Sequence, residues 1–177
     1  MIKRKLLERF LPTTPGLRVL DIGCGPAPDR DLMGEVEWTG LELNEKYVRY
    51  VERRLRRNDR ILLGDVAKVP EFLGEVFDVV LLSGVLHHLT DEQAQGVLEN
   101  CSPLLDHDGF VLTIDPVRTT GASRLERLLL DADRGNYIRD KTGYDRLVPS
   151  SLGRVESSVH HGLGWLPQAQ RVSVLRR

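Results

Sequence analysis

Three acidic residues and two glycines mark out a place where chemistry can be done. Asp21, Gly23 and Gly25 lie in the run Val19-Leu20-Asp21-Ile22-Gly23-Cys24-Gly25-Pro26, where an apolar segment ends in a glycine-rich turn. Glycines keep Cβ atoms out of the way, so a nucleotide can approach the backbone of such a turn. Glu42 follows 21 residues after Asp21, at a position suited to accepting hydrogen bonds from ribose hydroxyls. Asp65, in Gly64-Asp65-Val66, can accept from an exocyclic adenine amine. The adjacent imidazoles of His87 and His88 are the obvious candidates for taking a proton near neutral pH, where histidine titrates.

Those residues work together only if a parallel sheet brings their turns to one edge. Apolar runs alternate with helical periods, the signature of βα units. Strands are predicted at Arg18 to Ile22, Glu37 to Leu43, Arg60 to Leu63, Val76 to Leu82 and Phe110 to Ile114. The turn Asp106-His107-Asp108-Gly109 precedes the fifth. Two further strands are read near Arg154 to Val159 and Gln170 to Leu175. A first helix covers Ile2 to Leu11, ended by Pro12 and Pro15. Asn44 caps a helix with an apolar stripe of Tyr47, Val48, Val51 and Leu55. Thr90-Asp91-Glu92-Gln93 is a capping box, and Ser123-Arg124-Leu125-Glu126 a second, opening a helix with Leu125, Leu128 and Leu129 on one face and Gly135 as its stop. The order 3-2-1-4 makes neighbours of the turns carrying Asp21, Glu42 and Asp65.

The 177 residues are read as a single domain, 1–177, with a cap-like insertion at about 116–149. Net charge is -1 and no segment approaches the roughly 20 apolar residues of a membrane span. Two distant cysteines and no signal-peptide pattern make the cytoplasm the expected compartment. Between Lys46 and Arg60 seven basic residues face two acids. That run reads either as a phosphate or RNA patch or, preferred here, as the solvated face of an amphipathic helix.

Taken together, the turns at 19–26, Gly40-Leu41-Glu42, Gly64-Asp65-Val66, Phe77-Asp78-Val79-Val80, Val85-Leu86-His87-His88-Leu89 and Leu104 to Phe110 resemble the class I S-adenosylmethionine-dependent methyltransferases, close to the small-molecule, type 11-like members. The resemblance implies a Rossmann-like three-layer α/β/α sandwich with a seven-stranded, mostly parallel sheet of order 3-2-1-4-5-7-6 and strand 7 antiparallel. It implies S-adenosyl-L-methionine as cofactor and S-adenosyl-L-homocysteine as product. In that scheme Asp21, Gly23, Cys24 and Gly25 surround the methionine part and Glu42 binds the ribose. Asp65 binds the adenine amine, Leu43 and Val66 flank the ring, and Ser83 and Gly84 line the methionine and substrate side. A dinucleotide is the rival cofactor. Its fingerprint needs a third small residue where this chain has Pro28, and Asp21 would sit unfavourably close to a diphosphate. The same acid suits a ligand carrying an ammonium and a sulfonium.

The acceptor is less constrained. Methyl transfer from a sulfonium gains much of its rate from alignment, and a base matters only for an acceptor that must lose a proton. Packing or turn hydrogen bonding is the alternative role for His87 and His88, which sequence does not separate. His160, His161 and Asp115, together with His87 and His88, do not have the spacing of a closed zinc site, and no metal is expected. Asp115, Arg118, Tyr137, Arg139 and Tyr144 are candidate substrate contacts, the arginines for a carboxylate or phosphate and the tyrosines for a ring. The alternative for Arg139 is a cap-holding pair with Asp133 or Asp140. Ser83-Gly84-Val85-Leu86 replaces the Asn-Pro-Pro-Tyr that accompanies amino-methylation of DNA in this superfamily. The reading is therefore methylation of O or N on a small molecule. A non-catalytic cofactor-binding scaffold or partner subunit is the alternative, followed by RNA methylation.

Overall fold

Alternating side chains of the central strands build two apolar faces, and this decides the architecture. In β1 (Arg18–Ile22) Val19 points to one face and Leu20 and Ile22 to the other. In β4 (Phe77–Ser83) Val79 and Leu81 join the first face, Val80 and Leu82 the second. Strands buried on both sides need helices on both sides. The computed structural model describes residues 2–11, 16–68, 74–133, 135–161 and 168–177, except the side chains of Ile2 and Val155.

Seven strands form one sheet of order β3-β2-β1-β4-β5-β7-β6. The remaining strands are β2 (Glu37–Glu42), β3 (Arg60–Leu63), β5 (Leu105–Pro116), β6 (Gly153–His161) and β7 (Ala169–Arg176). Pairs from β3 through β5 are parallel, and β7 runs antiparallel to both β5 and β6. Helix α1 (Ile2–Phe10) packs Leu6 and Leu7 against the face of Val19 and Leu81. Helix α3 (Asp91–Cys101) packs Ala94, Val97, Leu98 and Cys101 against the opposite face. Helix α2 (Glu45–Glu52) follows β2, and α4 (Arg124–Asp131) and α5 (Lys141–Arg146) lie between β5 and β6, in the segment read from sequence as an insertion. Among the described residues no helix is long and apolar enough to cross a membrane.

The expected topology is the observed one, with several local corrections. Asp106 to Gly109 is not a turn ahead of β5 but a bulge within it, where pairing jumps from Phe77–Leu105 to Val79–Phe110. Gly109 allows that bend, since a Cβ there would lie 2.8 Å from the Phe77 carbonyl oxygen. Asn44 caps α2 and Thr90 closes a full capping box on α3. Ser123 caps α4 only from one side, because Glu126 turns inward to accept from the Ala169 backbone N–H at 2.8 Å. Glu126 and Leu130 are the buried residues of that helix, while Leu125 and Leu128 are exposed. The helix ends at Asp131, ahead of Gly135. In α2 Tyr47 is exposed, and the helix stops before Leu55. Pro12 and Pro15 lie outside the described residues.

Candidate functional site

The turn after β1 is shaped by backbone geometry before any side chain enters. Gly23 has φ +66° and Gly25 φ +57°, the left-handed region that glycine enters without strain. At Gly23 space is a second constraint, because an added Cβ would come within 2.9 Å of Val85 Cγ2. That contact brings the loop after β4 up to the turn. Ala27, at φ +55°, completes the tight bend and donates to the Cys24 carbonyl at 2.9 Å.

Glu42 ends β2 and reaches across this turn. Its carboxylate accepts from the Gly25 N–H at 2.8 Å and from the Asn44 N–H at 2.7 Å. Each oxygen keeps a further lone pair, so Glu42 is held in place with capacity to spare. Beside it Leu43 is 65% exposed, an apolar surface with no covering among its neighbours in the fold. Asp65 opens the short turn after β3 and accepts from the Ala67 N–H at 2.9 Å, and Val66 packs against the core edge. Parallel pairing of β1, β2 and β3 sets these three turns side by side.

Asp21 is buried and accepts from Trp38 Nε1–H at 3.3 Å. Burial, with the nearby Asp29 carboxylate second, pushes its acid up to about 8. Cys24 is buried too, and desolvation drives its thiol well above the usual range. A buried, protonated thiol is a packing group rather than a nucleophile.

At the end of β4 a cleft of about 140 Å³ opens between Ser83, Gly84, His87, Lys3, Asp133 and Gln168. Here the two histidines separate. His87 is buried, its Nδ1–H donates to Asp115 Oδ1 at 2.9 Å, and its Nε2 lies 3.5 Å from Asp133 Oδ1. His88 is exposed, with its ring centroid 4.1 Å from that of His87. Asp115 therefore stands behind His87, buried, rather than in an open substrate surface.

The other candidate substrate contacts are largely committed within the fold. Arg139 donates to Asp91 and to the carbonyls of Leu86, Leu89 and Tyr137, fastening the insertion to the segment that carries His87. Its partners are thus neither Asp133 nor Asp140. Tyr144 is buried and donates to the Pro116 carbonyl at 2.8 Å, which leaves no ring face open to a substrate. Arg118 pairs with Asp131. Tyr137 is 41% exposed, and its backbone N–H donates to the His87 carbonyl. Three of the seven basic residues between Lys46 and Arg60 form ion pairs, Arg49–Glu45, Arg54–Asp31 and Arg60–Glu75. No group of three or more His, Cys, Asp or Glu able to hold a metal ion occurs among the described residues.

Lys3 and Gln168 carry no signal in the sequence. A lone lysine on an amphipathic helix is a surface residue until the helix is docked. Docked, Lys3 Nζ lies 2.7 Å from Asp29 Oδ1 and donates to Ser83 Oγ at 2.9 Å.

Comparison with known proteins follows from this geometry. Residues 19–109 match the model of the methyltransferase domain family. The fold is similar to mitomycin 7-O-methyltransferase, at 23% identity over 92% of this chain and 49% of that one, with TM-score 0.72. It is also similar to magnesium protoporphyrin IX methyltransferase of Synechocystis PCC 6803 with bound SAH, at 18% identity, 98% and 80% coverage and TM-score 0.72. A SAM-dependent methyltransferase of Leishmania major gives 14% identity, 99% and 72% coverage and TM-score 0.76. The chain thus spans about half the length of the first and most of the other two. No curated protein sequence matches it.

Proposed function

The chain belongs to the methyltransferase domain family, and from that premise we propose that it transfers a methyl group from S-adenosyl-L-methionine to oxygen or nitrogen of a small molecule. The observation that carries this reading is the Gly23–Gly25 turn with Glu42 folded over it and the cleft of Ser83, Gly84 and His87 opening alongside.

The residues present fit the cofactor. Positive φ at Gly23 and Gly25 leaves the turn free of Cβ atoms where the methionine part would lie. Glu42 has spare acceptor capacity for ribose hydroxyls, Asp65 for an adenine amine, and the exposed face of Leu43 for the ring. Asp21 puts a carboxyl group behind the turn, the sign of charge that suits a cationic ligand once ionised. When bound, adenosylmethionine supplies an electrophilic methyl group whose leaving group is a neutral thioether. The protein's part is to align the acceptor, exclude water and, for a protic acceptor, take up a proton. His87, oriented by Asp115 and facing the cleft, is the group placed for that last task.

Calorimetric titration with adenosylmethionine tests the first half. Folded protein should bind it, Glu42→Ala should weaken binding by about 1–3 kcal/mol as expected for a lost polar contact, and absence of binding would sink the reading. Release of adenosylhomocysteine from a metabolite pool by the purified chain separates an enzyme from a cofactor-binding scaffold.

A further inference from the structure

His87 and Asp133 bring a ring nitrogen and a carboxylate oxygen within 3.5 Å of each other at one cleft, and we propose that this cleft selects an amine as methyl acceptor, with His87 Nε2 taking the proton and Asp133 balancing the nitrogen's charge. The inference rests on the methyltransferase reading of the same site and names its substrate class.

The tautomer of His87 follows from Asp115. Asp115 Oδ1 receives both the Nδ1–H and the backbone N–H of His87, at 2.9 and 3.2 Å. With Nδ1 donating, the neutral imidazole has its lone pair on Nε2, which lies 3.5 Å from Asp133 Oδ1. Two acceptors face each other favourably only with donor hydrogens between them. Gln168 lines the same cleft, is 7% exposed, and its Oε1 has no donor among the described residues. Buried acceptors left bare cost more than a surface loses, so a donor-rich ligand gains by filling the cleft.

A hydroxyl brings one hydrogen to such a wall and an ammonium brings three. Charge points the same way. Methylating a neutral amine moves the sulfonium's positive charge onto nitrogen, whereas methylating a hydroxyl ends in a neutral ether. Asp133 beside the cleft favours the former. The cation that would oppose an amine, Lys3, is already engaged by Asp29 and Ser83. Other charged or titratable groups packed around this segment include its neighbour His88, Arg139 on the Leu86 and Leu89 carbonyls, and Tyr144 and Arg171, which interact electrostatically with Asp115.

The step balances. The ammonium gives one proton to His87 Nε2, forming an imidazolium paired with Asp115. The freed nitrogen lone pair forms the C–N bond while the C–S bond breaks and its electron pair stays on sulfur. The N-methyl product carries the positive charge beside Asp133. Gly135 seats the insertion for this task, since a Cβ there would come within 2.0 Å of His87 Cδ2.

The test follows the His87 imidazole resonances by NMR in protein saturated with adenosylhomocysteine, titrated separately with methylammonium chloride and methanol. The His87 signals are assigned by their loss in His87→Gln. Methylammonium should bind saturably and at least tenfold more tightly than methanol, and Asp133→Asn should cut that preference at least tenfold. Equal or tighter methanol binding, no saturable methylammonium binding, or an unchanged preference in Asp133→Asn overturns the proposal. The wild-type comparison decides even where the variant is unfolded. Calorimetry on the same sample comes first. If adenosylhomocysteine does not bind, the methyltransferase reading fails. If it binds and the amine preference is absent, only this inference fails.

Discussion

Asp21 is the residue whose chemistry is most altered by its surroundings. Burial raises its acid to about 8, the Asp29 carboxylate adds to the shift, and Trp38 and Lys3 oppose it. From the ordinary carboxylate range up to about pH 8, the folded chain holds a proton that the unfolded chain has lost. Its contribution to stability is therefore full below that range, falls as pH rises across it, and levels off above about 8. Ligand binding has the opposite sign. A cation in the Gly23–Gly25 turn favours ionised Asp21, so binding should expel a proton below pH 8. The affinity for adenosylmethionine should climb by up to about tenfold per pH unit, roughly 1.4 kcal/mol, and flatten near 8. Calorimetry at pH 6.5 and 8.5 in buffers of different ionisation enthalpy measures this directly. Asp21→Asn should abolish both the proton release and the pH slope, and an unchanged slope in that variant would refute the assignment.

At the scale of elements, what the sequence makes legible is whatever local chemistry alone decides. Strands β1 and β3 are read to the residue because apolar runs there end at charged or glycine positions. The Thr90 box is legible because both partners lie within one turn. Glu126 defeats the same rule: its partner is Ala169, 43 positions away, and a buried backbone donor there outweighs the local box. Arg139 is misread for a related reason, since the carbonyls it holds become neighbours only when the insertion folds back over His87. His87 and Asp115 are separate candidates in the sequence, and their pairing needs β5 beside β4. The insertion then makes a test of its own. Gly135→Ala would drive a Cβ into the His87 ring, so the ring or the insertion must move. Turnover should fall by about a hundredfold, the size of effect expected when a reacting group is misplaced by about 1 Å. Adenosylmethionine affinity, assigned in the proposed reading to the turns after β1, β2 and β3, should change less than twofold. A parallel loss of affinity would mean that the insertion supports the donor site rather than the acceptor cleft.

Across the whole molecule, one side chain ties together elements that the topology otherwise keeps apart. Helix α1 precedes the sheet and docks on the face of Val19 and Leu81. From there Lys3 reaches Asp29, beyond the glycine turn, and Ser83, at the end of β4. The region of the glycine turn and the cleft at the end of β4 thus share one cation supplied by the first helix. Asp29 is 6% exposed and lies close enough to Asp21 to raise its acid, so removing the cation leaves two buried carboxyl groups with less to balance them. Lys3→Met keeps the stem that packs on the helix and removes only the charge. It should cost about 1–3 kcal/mol in denaturant unfolding, the penalty of stranding a buried polar partner. It should also move the plateau of the adenosylmethionine pH profile above 8, because the cation that lowers the Asp21 acid has gone. A stability loss without that movement would make Lys3 a strut for α1 alone. Both effects together would show that the helix, the turn and the cleft answer to one electrostatic balance.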